Sequence, residues 1–308
     1  MTTGYRHPLY AASLAEHGTP RRLPASDGWI LERDIPGFTG RDAMGCYPLF
    51  CCGRWDRLAD DLRELGDGLV SLTLVTDPFG PSSPAILTAF NRGAVAFKEH
   101  LVVDLSGDPE RAACSHHRRN ARKALRQLTV EPLGHPADHL GEWVGLYDTL
   151  IERHAIDGLR AFSETAFARQ LEVPGLVALR AAHAGRSVGM LLWYVQGEVA
   201  HYHLGAFSEE GYRLGASFAL FWSALEWFRG KVAWLNLGAG AGLGGGVGDG
   251  LTRFKQGWAS GARTAYLCRH VGDPVRYGEL TRERGTEASH YFPAYRVGEF
   301  ARPVAVSR

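Results

Sequence analysis

A chain of 308 residues, 45% hydrophobic, 22% charged and 11% aromatic, can bury one large core or two ordinary ones, and no segment has the composition of a disordered tail. Lys and Arg number 34 against 33 Asp and Glu, so no global field draws the protein to nucleic acid or to a membrane surface, and any anion binding must be local. No apolar run of about 18 residues is present to span a bilayer, and Met1 to Pro8 lacks a signal-peptide core, so a cytoplasmic location is expected.

In chain order, short apolar runs predict strands at 28–32 and 46–52, a helix at 55–65, and strands at 69–75 and 97–105. Pro78, Pro81 and Pro84 punctuate a loop before a short helix at 85–91. After Asp108-Pro109-Glu110 comes a basic helix, Arg118-Arg119-Asn120-Ala121-Arg122-Lys123-Ala124-Leu125-Arg126. Its cations recur three and four residues apart, and no acidic residue lies between Arg111 and Val130 to neutralise them. They form a phosphate-binding stripe, a solvated helix face, or a face paired with carboxylates of the other half. Asn120 is intrinsically poor in mid-helix, so its side chain is expected to hold a specific hydrogen bond. A strand at 128–133 ends this half, and Gly134-His135-Pro136 is the expected boundary between domains at 1–135 and 136–308.

The second half opens with helices at 137–154 and 164–171. Strands follow at 176–183, 187–195 and 199–207, joined by turns at Ala184-Gly185-Arg186 and Gln196-Gly197-Glu198. A long amphipathic helix at 214–229 then leads to a strand at 232–237 and a glycine run from Gly238 to Gly250. Behind the glycines stands Arg253-Phe254-Lys255-Gln256-Gly257-Trp258. Its lysine is either a solvated loop charge or an electrostatic element of a site.

Other signals are weaker. Gly240 to Gly245 spells GxGxxG, but more glycine follows where a helix should start, so a loop over the site is expected, not a dinucleotide fold. His201 and His203 alternate onto one strand face without a third ligand, so no metal site is expected. They are structural histidines or, if that face borders a cleft, proton acceptors. Cys46, Cys51, Cys52, Cys114 and Cys268 fit no disulfide framework and are expected to be reduced.

The succession of helices, meander, helix and strand resembles the core of a GNAT acyltransferase. Four patches sharpen this: the Arg118 to Ala124 helix, Gly205-Ala206-Phe207 with the helix behind it, Arg253 to Trp258, and Tyr291-Phe292-Pro293-Ala294-Tyr295-Arg296. In this order they resemble the FemABX family of peptidyl and aminoacyl transferases. The resemblance implies an α/β (α+β) fold of two tandem GNAT-like lobes, with mixed sheets flanked by helices, the second lobe holding the acyl donor. It further implies transfer of an aminoacyl group from aminoacyl-tRNA to the amine of a small or peptide-like acceptor, in cell-wall or secondary-metabolite biosynthesis, without a cofactor.

Under that resemblance Lys255, walled by Phe254, stabilises the oxyanion and His203 is a candidate base. Arg213, Gly215, His201, Asn236, Gly238, Arg253 and Trp258 contact substrate, and Arg118, Arg119, Arg122, Lys123 and Arg126 hold the tRNA or its phosphates. Tyr212-Arg213-Leu214-Gly215-Ala216-Ser217 is a weakened form of the family's pyrophosphate turn. An acyl-CoA donor is the alternative within the fold, and a non-catalytic RNA or phospho-ligand binding protein is the alternative outside it.

Overall fold

In this computed structural model the described residues are 2–80, 87–107, 113–240 and 250–299. The chain divides into two compact units, one made of residues 1–13 and 97–265, the other of 14–96 and 266–308. The expected boundary at 135 is not where the contacts divide. Gly134 to Pro136 lies inside the first unit, which contains both the strand before it and the helices after it.

The first unit begins with α1 (Pro8–Ser13) and resumes in the course of β5 (Ala94–Asp104). Next come α3 (Ser115–Ala124), β6 (Thr129–Pro132), α4 (Leu140–His154) and α5 (Glu164–Gln170), so the basic segment is helical. The meander is β7 (Leu176–His183), β8 (Arg186–Gln196) and β9 (Val199–Phe207). Its first turn has positive φ at both Ala184 and Gly185, the backbone that a two-residue hairpin needs to match strand twist. The expected helix at 214–229 is two helices, α6 (Glu209–Leu214) and α7 (Ala216–Phe228), broken at Gly215, whose φ is 70°. Then follow β10 (Trp234–Gly238), α8 (Gly250–Gln256) and the first half of β11 (Gly261–Val271).

The strand order in this unit is β5-β10-β9-β8-β7-β6. Only β9 and β10 run parallel; the other neighbours are antiparallel. Helix α7 is apolar along most of its surface because it is covered on two sides. Phe221 and Phe228 meet Trp193 of β8, while Ala121 and Ala124 of α3, 0% and 2% exposed, let that helix approach closely. Each large side chain so buried contributes roughly 1.5–3 kcal/mol. On the other face of β8 and β9, Tyr5, Tyr10, Tyr194 and His203 form an edge-to-face cluster with α1.

The second unit contains β1 (Thr19–Leu23), β2 (Gly28–Asp34), β3 (Arg41–Gly45), α2 (Leu58–Leu65), β4 (Ser71–Val75) and α9 (Pro274–Glu283). Its order is β1-β2-β3-β4, with the second half of β11 pairing β4. The expected strand at 46–52 is reduced to a single bridge, Phe50 to Thr76. Buried Asp42 accepts from Tyr295 Oη at 3.0 Å and from Arg296 Nη2 at 3.0 Å, so the terminal Tyr291 to Arg296 patch anchors this unit. Of the expected helix at 85–91, residues 85 and 86 lie outside the described residues and only Leu87 is helical, 88–91 being turn or bend; most of the glycine run also lies outside the described residues. All five cysteines are free thiols, and only Cys114 is exposed.

Candidate active site

The site is built where β9 and β10 part. Val199, Ala200 and His201 pair with Trp234, Leu235 and Asn236; beyond His201, β9 runs on to Phe207 without β10 beside it. The cause is local. The Asn236 side chain accepts the Gly238 N–H at 3.0 Å, and Gly238 takes a φ of 76°, so β10 bulges away and ends. Two lines of chemistry-bearing side chains meet there.

One is Lys255 on α8, where its cation is only 4% exposed. Its Nζ donates to Ala239 O at 2.7 Å and lies 5.5 Å from the centroid of the Tyr202 ring. A Cβ at position 238 would stand 3.3 Å from that Nζ, so both the turn and the passage of the lysine favour glycine there. Phe254 does not wall the lysine, and Trp258, expected to contact substrate, is fully buried. They turn into the core, Phe254 against His117, Phe218 and Phe221, and Trp258 stacked on Phe221 at 6.0 Å. Their burial sets the rotation of α8 and thereby aims Lys255. Arg253 is exposed.

His117 completes this anchor, and the sequence offered no sign of it. Its Nε2 donates to Phe254 O at 2.9 Å, and Nδ1 lies 3.0 Å from the Cys114 thiol. A Cβ on Gly257 would come within 2.2 Å of the His117 ring, so the ring lies directly over that glycine.

The second line is a hydrogen-bonded trio. Asn236 Oδ1 is 3.1 Å from His100 Nδ1, and Asn236 Nδ2 is 3.1 Å from His201 Nδ1. Burial pushes the His100 pKa down to about 4; the bond to Asn236 opposes this, and the nearby Lys255, His201 and Lys98 charges reinforce it. His100 was not among the expected site residues. Nothing around Lys98-Glu99-His100 marks it, because its partner lies 136 positions away.

His203, the expected base, is a structural residue. Gln170 Nε2 donates to Ser13 Oγ, whose own proton goes to Tyr10 O, so Gln170 Oε1 must accept from His203 Nε2 at 3.0 Å. His203 Nδ1 then accepts from Tyr5 Oη at 3.2 Å. Both nitrogens are engaged, so neither has a lone pair open to a substrate proton, and burial holds the pKa down to about 3. The unfolded chain therefore takes up this proton first, at about pH 6.5. The associated stability is present above pH 6.5 and is lost as pH falls toward 3, with His100 adding a smaller loss down to about 4. Each such group costs roughly 1.4 kcal/mol per pH unit in its window. Urea midpoints followed from pH 7 to 4 should fall more steeply for the wild type than for His203→Gln; equal slopes would mean that His203 is not held neutral.

The basic helix α3 lines a cleft of about 740 Å³ with Ser115, Arg118, Arg119, Arg122, Lys123 and Arg126. Among the described residues Arg119, Arg122, Lys123 and Arg126 have no acidic partner, so these four are not a face neutralised by carboxylates. A Cβ on Gly215 would lie 3.9 Å from that of Ala124, which puts the start of α7, with its first-turn N–H groups, against this helix. Arg213, expected at the pyrophosphate turn, is an exposed residue paired with Glu210 at 3.2 Å. Asn120 makes its expected bond, from Nδ2 to His116 Nε2 at 2.8 Å.

A family model described as an acetyltransferase (GNAT) domain matches residues 113–256, the span from the start of α3 to the end of α8. Among solved structures, FemX is similar over 88% of this chain and 93% of its own, with 12% identity and a TM-score of 0.65. The C-terminal domain of a lysylphosphatidylglycerol synthetase from Agrobacterium fabrum is similar over 88% and 90%, with 17% identity and a TM-score of 0.59. L-PGS from Bacillus licheniformis is similar over 92% and 98%, with 16% identity and a TM-score of 0.57. At these identities the likeness establishes the fold. Among curated protein sequences none matches.

Proposed function

From a chain with the FemABX-like GNAT fold, we propose an aminoacyltransferase that moves an aminoacyl group from aminoacyl-tRNA to the amine of a small or peptide-like acceptor. The observation that carries this reading is the α3 cleft. Four cations without acidic partners among the described residues, beside the start of α7, suit a ligand with several phosphates more than one with a single charge. The likeness of fold to FemX and L-PGS is compatible with this reading.

The acceptor amine attacks the ester carbonyl carbon, a C–N bond forms, and the carbonyl oxygen becomes an oxyanion. Lys255, fixed at the parting of β9 and β10, stabilises that charge where water is largely excluded. Collapse breaks the C–O bond and returns the ribose hydroxyl of the tRNA.

Incubation with charged tRNA and a panel of amines, followed by mass spectrometry, should yield amide product at a rate that falls steeply with salt. Product from acetyl-CoA with the same amines, and none from charged tRNA, would replace the donor with acyl-CoA. Tight RNA binding without turnover of either donor would make this a binding protein.

A further inference from the structure

Resting on that reading of the reaction, we propose that His100 is the residue that takes the proton from the attacking amine, and that Asn236 is the positioning residue that gives it a bare Nε2 for the purpose.

The assignment follows from one backbone bond. The N–H of Gly238 can only donate, so the Asn236 atom 3.0 Å from it must be the carbonyl oxygen, which fixes the orientation of the amide. That oxygen can only accept, so His100 Nδ1, 3.1 Å away, carries a hydrogen. The amide nitrogen can only donate, so His201 Nδ1, 3.1 Å away, carries none and its proton sits on Nε2. One asparagine thus sets opposite tautomers in its two histidines. A neutral His100 is left with its lone pair on Nε2, which has no protein partner among the described residues.

The location supports the role. His100 is 7% exposed, on the strand beside β10, within electrostatic reach of Lys255. Its low basicity keeps it unprotonated throughout the neutral range, so the lone pair is always available. An oxyanion forming at Lys255 offsets the ammonium charge that depresses His100, so proton affinity rises when the proton must be held. In the tetrahedral intermediate the amine nitrogen, newly bonded to carbon, passes one proton to His100 Nε2. On collapse the imidazolium returns that proton to the departing ribose oxygen, and neutral His100 is regenerated. His203, with both nitrogens engaged, is excluded from this role.

Two measurements on the full chain test the proposal. Imidazole 15N NMR at pH 7, assigned with His100→Gln, His201→Gln and His203→Gln, should show His100 protonated on Nδ1 and bare on Nε2, with the reverse in His201. Asn236→Asp, which can only accept, should move the His201 proton to Nδ1 or make that ring an imidazolium. His100 protonated on Nε2 in the wild type overturns the assignment whatever the enzyme does. In the aminoacyl-transfer assay His100→Ala should lower kcat by roughly 10²- to 10⁴-fold with little change in KM for charged tRNA. Added imidazole should restore part of the rate, as a purely structural loss would not. A wild-type kcat in folded His100→Ala, or a loss that imidazole leaves untouched, overturns the base. If wild-type protein turns over no donor while both tautomers are as stated, the functional reading fails and the tautomer assignment stands.

Discussion

Lys255→Met should lower the rate of amide formation by roughly 10²-fold or more while the protein remains folded. The expectation rests on where the charge is held. Lys255 is 4% exposed, bonded to Ala239 O at 2.7 Å, and sits at the mouth where β9 continues past the last residue of β10 that pairs with it. A fixed cation there needs no reorganisation when the oxyanion forms, and low solvent access keeps its field from being screened. Methionine preserves the apolar stem and removes a cation that is costly to bury, against the loss of one hydrogen bond to Ala239 O, so the protein should stay folded. Single-turnover rates separate chemistry from donor binding, and thermal unfolding reports the fold. A wild-type single-turnover rate would take the lysine out of the mechanism; a large drop in melting temperature would make it a strut.

Replacing Arg119, Arg122, Lys123 and Arg126 together by Ala should abolish most of the affinity for charged tRNA and flatten its dependence on salt. Each lost phosphate contact removes roughly one unit from the slope of log affinity against log salt, so the four should remove about four. Stability should change little, because the four side chains are exposed and pair with no described carboxylate. Fluorescence titration of labelled tRNA at several salt concentrations measures the slope directly. An unchanged slope would assign RNA binding to another surface. A variant that bound normally yet lost turnover would show the cations acting on the reaction itself.

The two predictions differ in how far the sequence could lead to them. The α3 stripe is legible because it depends on spacing within one helix and on the absence of nearby acidic residues, and both are local properties. The meander and its turns are legible for the same reason: period-two alternation and residues suited to positive φ report on their own backbone. Lys255 could be picked out as a residue, but its direction could not. That depends on Phe254 and Trp258 being drawn into the core of α3 and α7, where the sequence suggested Phe254 as a wall beside the lysine and Trp258 as a substrate contact.

The amino-acid sequence by itself determined the strand and helix series of the larger unit, its acyltransferase-like order, and the local concentration of positive charge. Tertiary structure alone decided which histidine can act. His203 stood out in a paired motif and is sealed by Gln170 and Tyr5, whereas His100, in an expected strand but outside any motif, has its lone pair set by an asparagine 136 positions away. It also decided the units, joining residues 266–308 to the N-terminal segment through the pairing of β11 with β4 and the Asp42 anchor. The reason is the same in both cases. Periodicity and turn chemistry are written in neighbouring residues, while a hydrogen-bond partner or a strand neighbour distant in the chain is selected by which surfaces exclude water together.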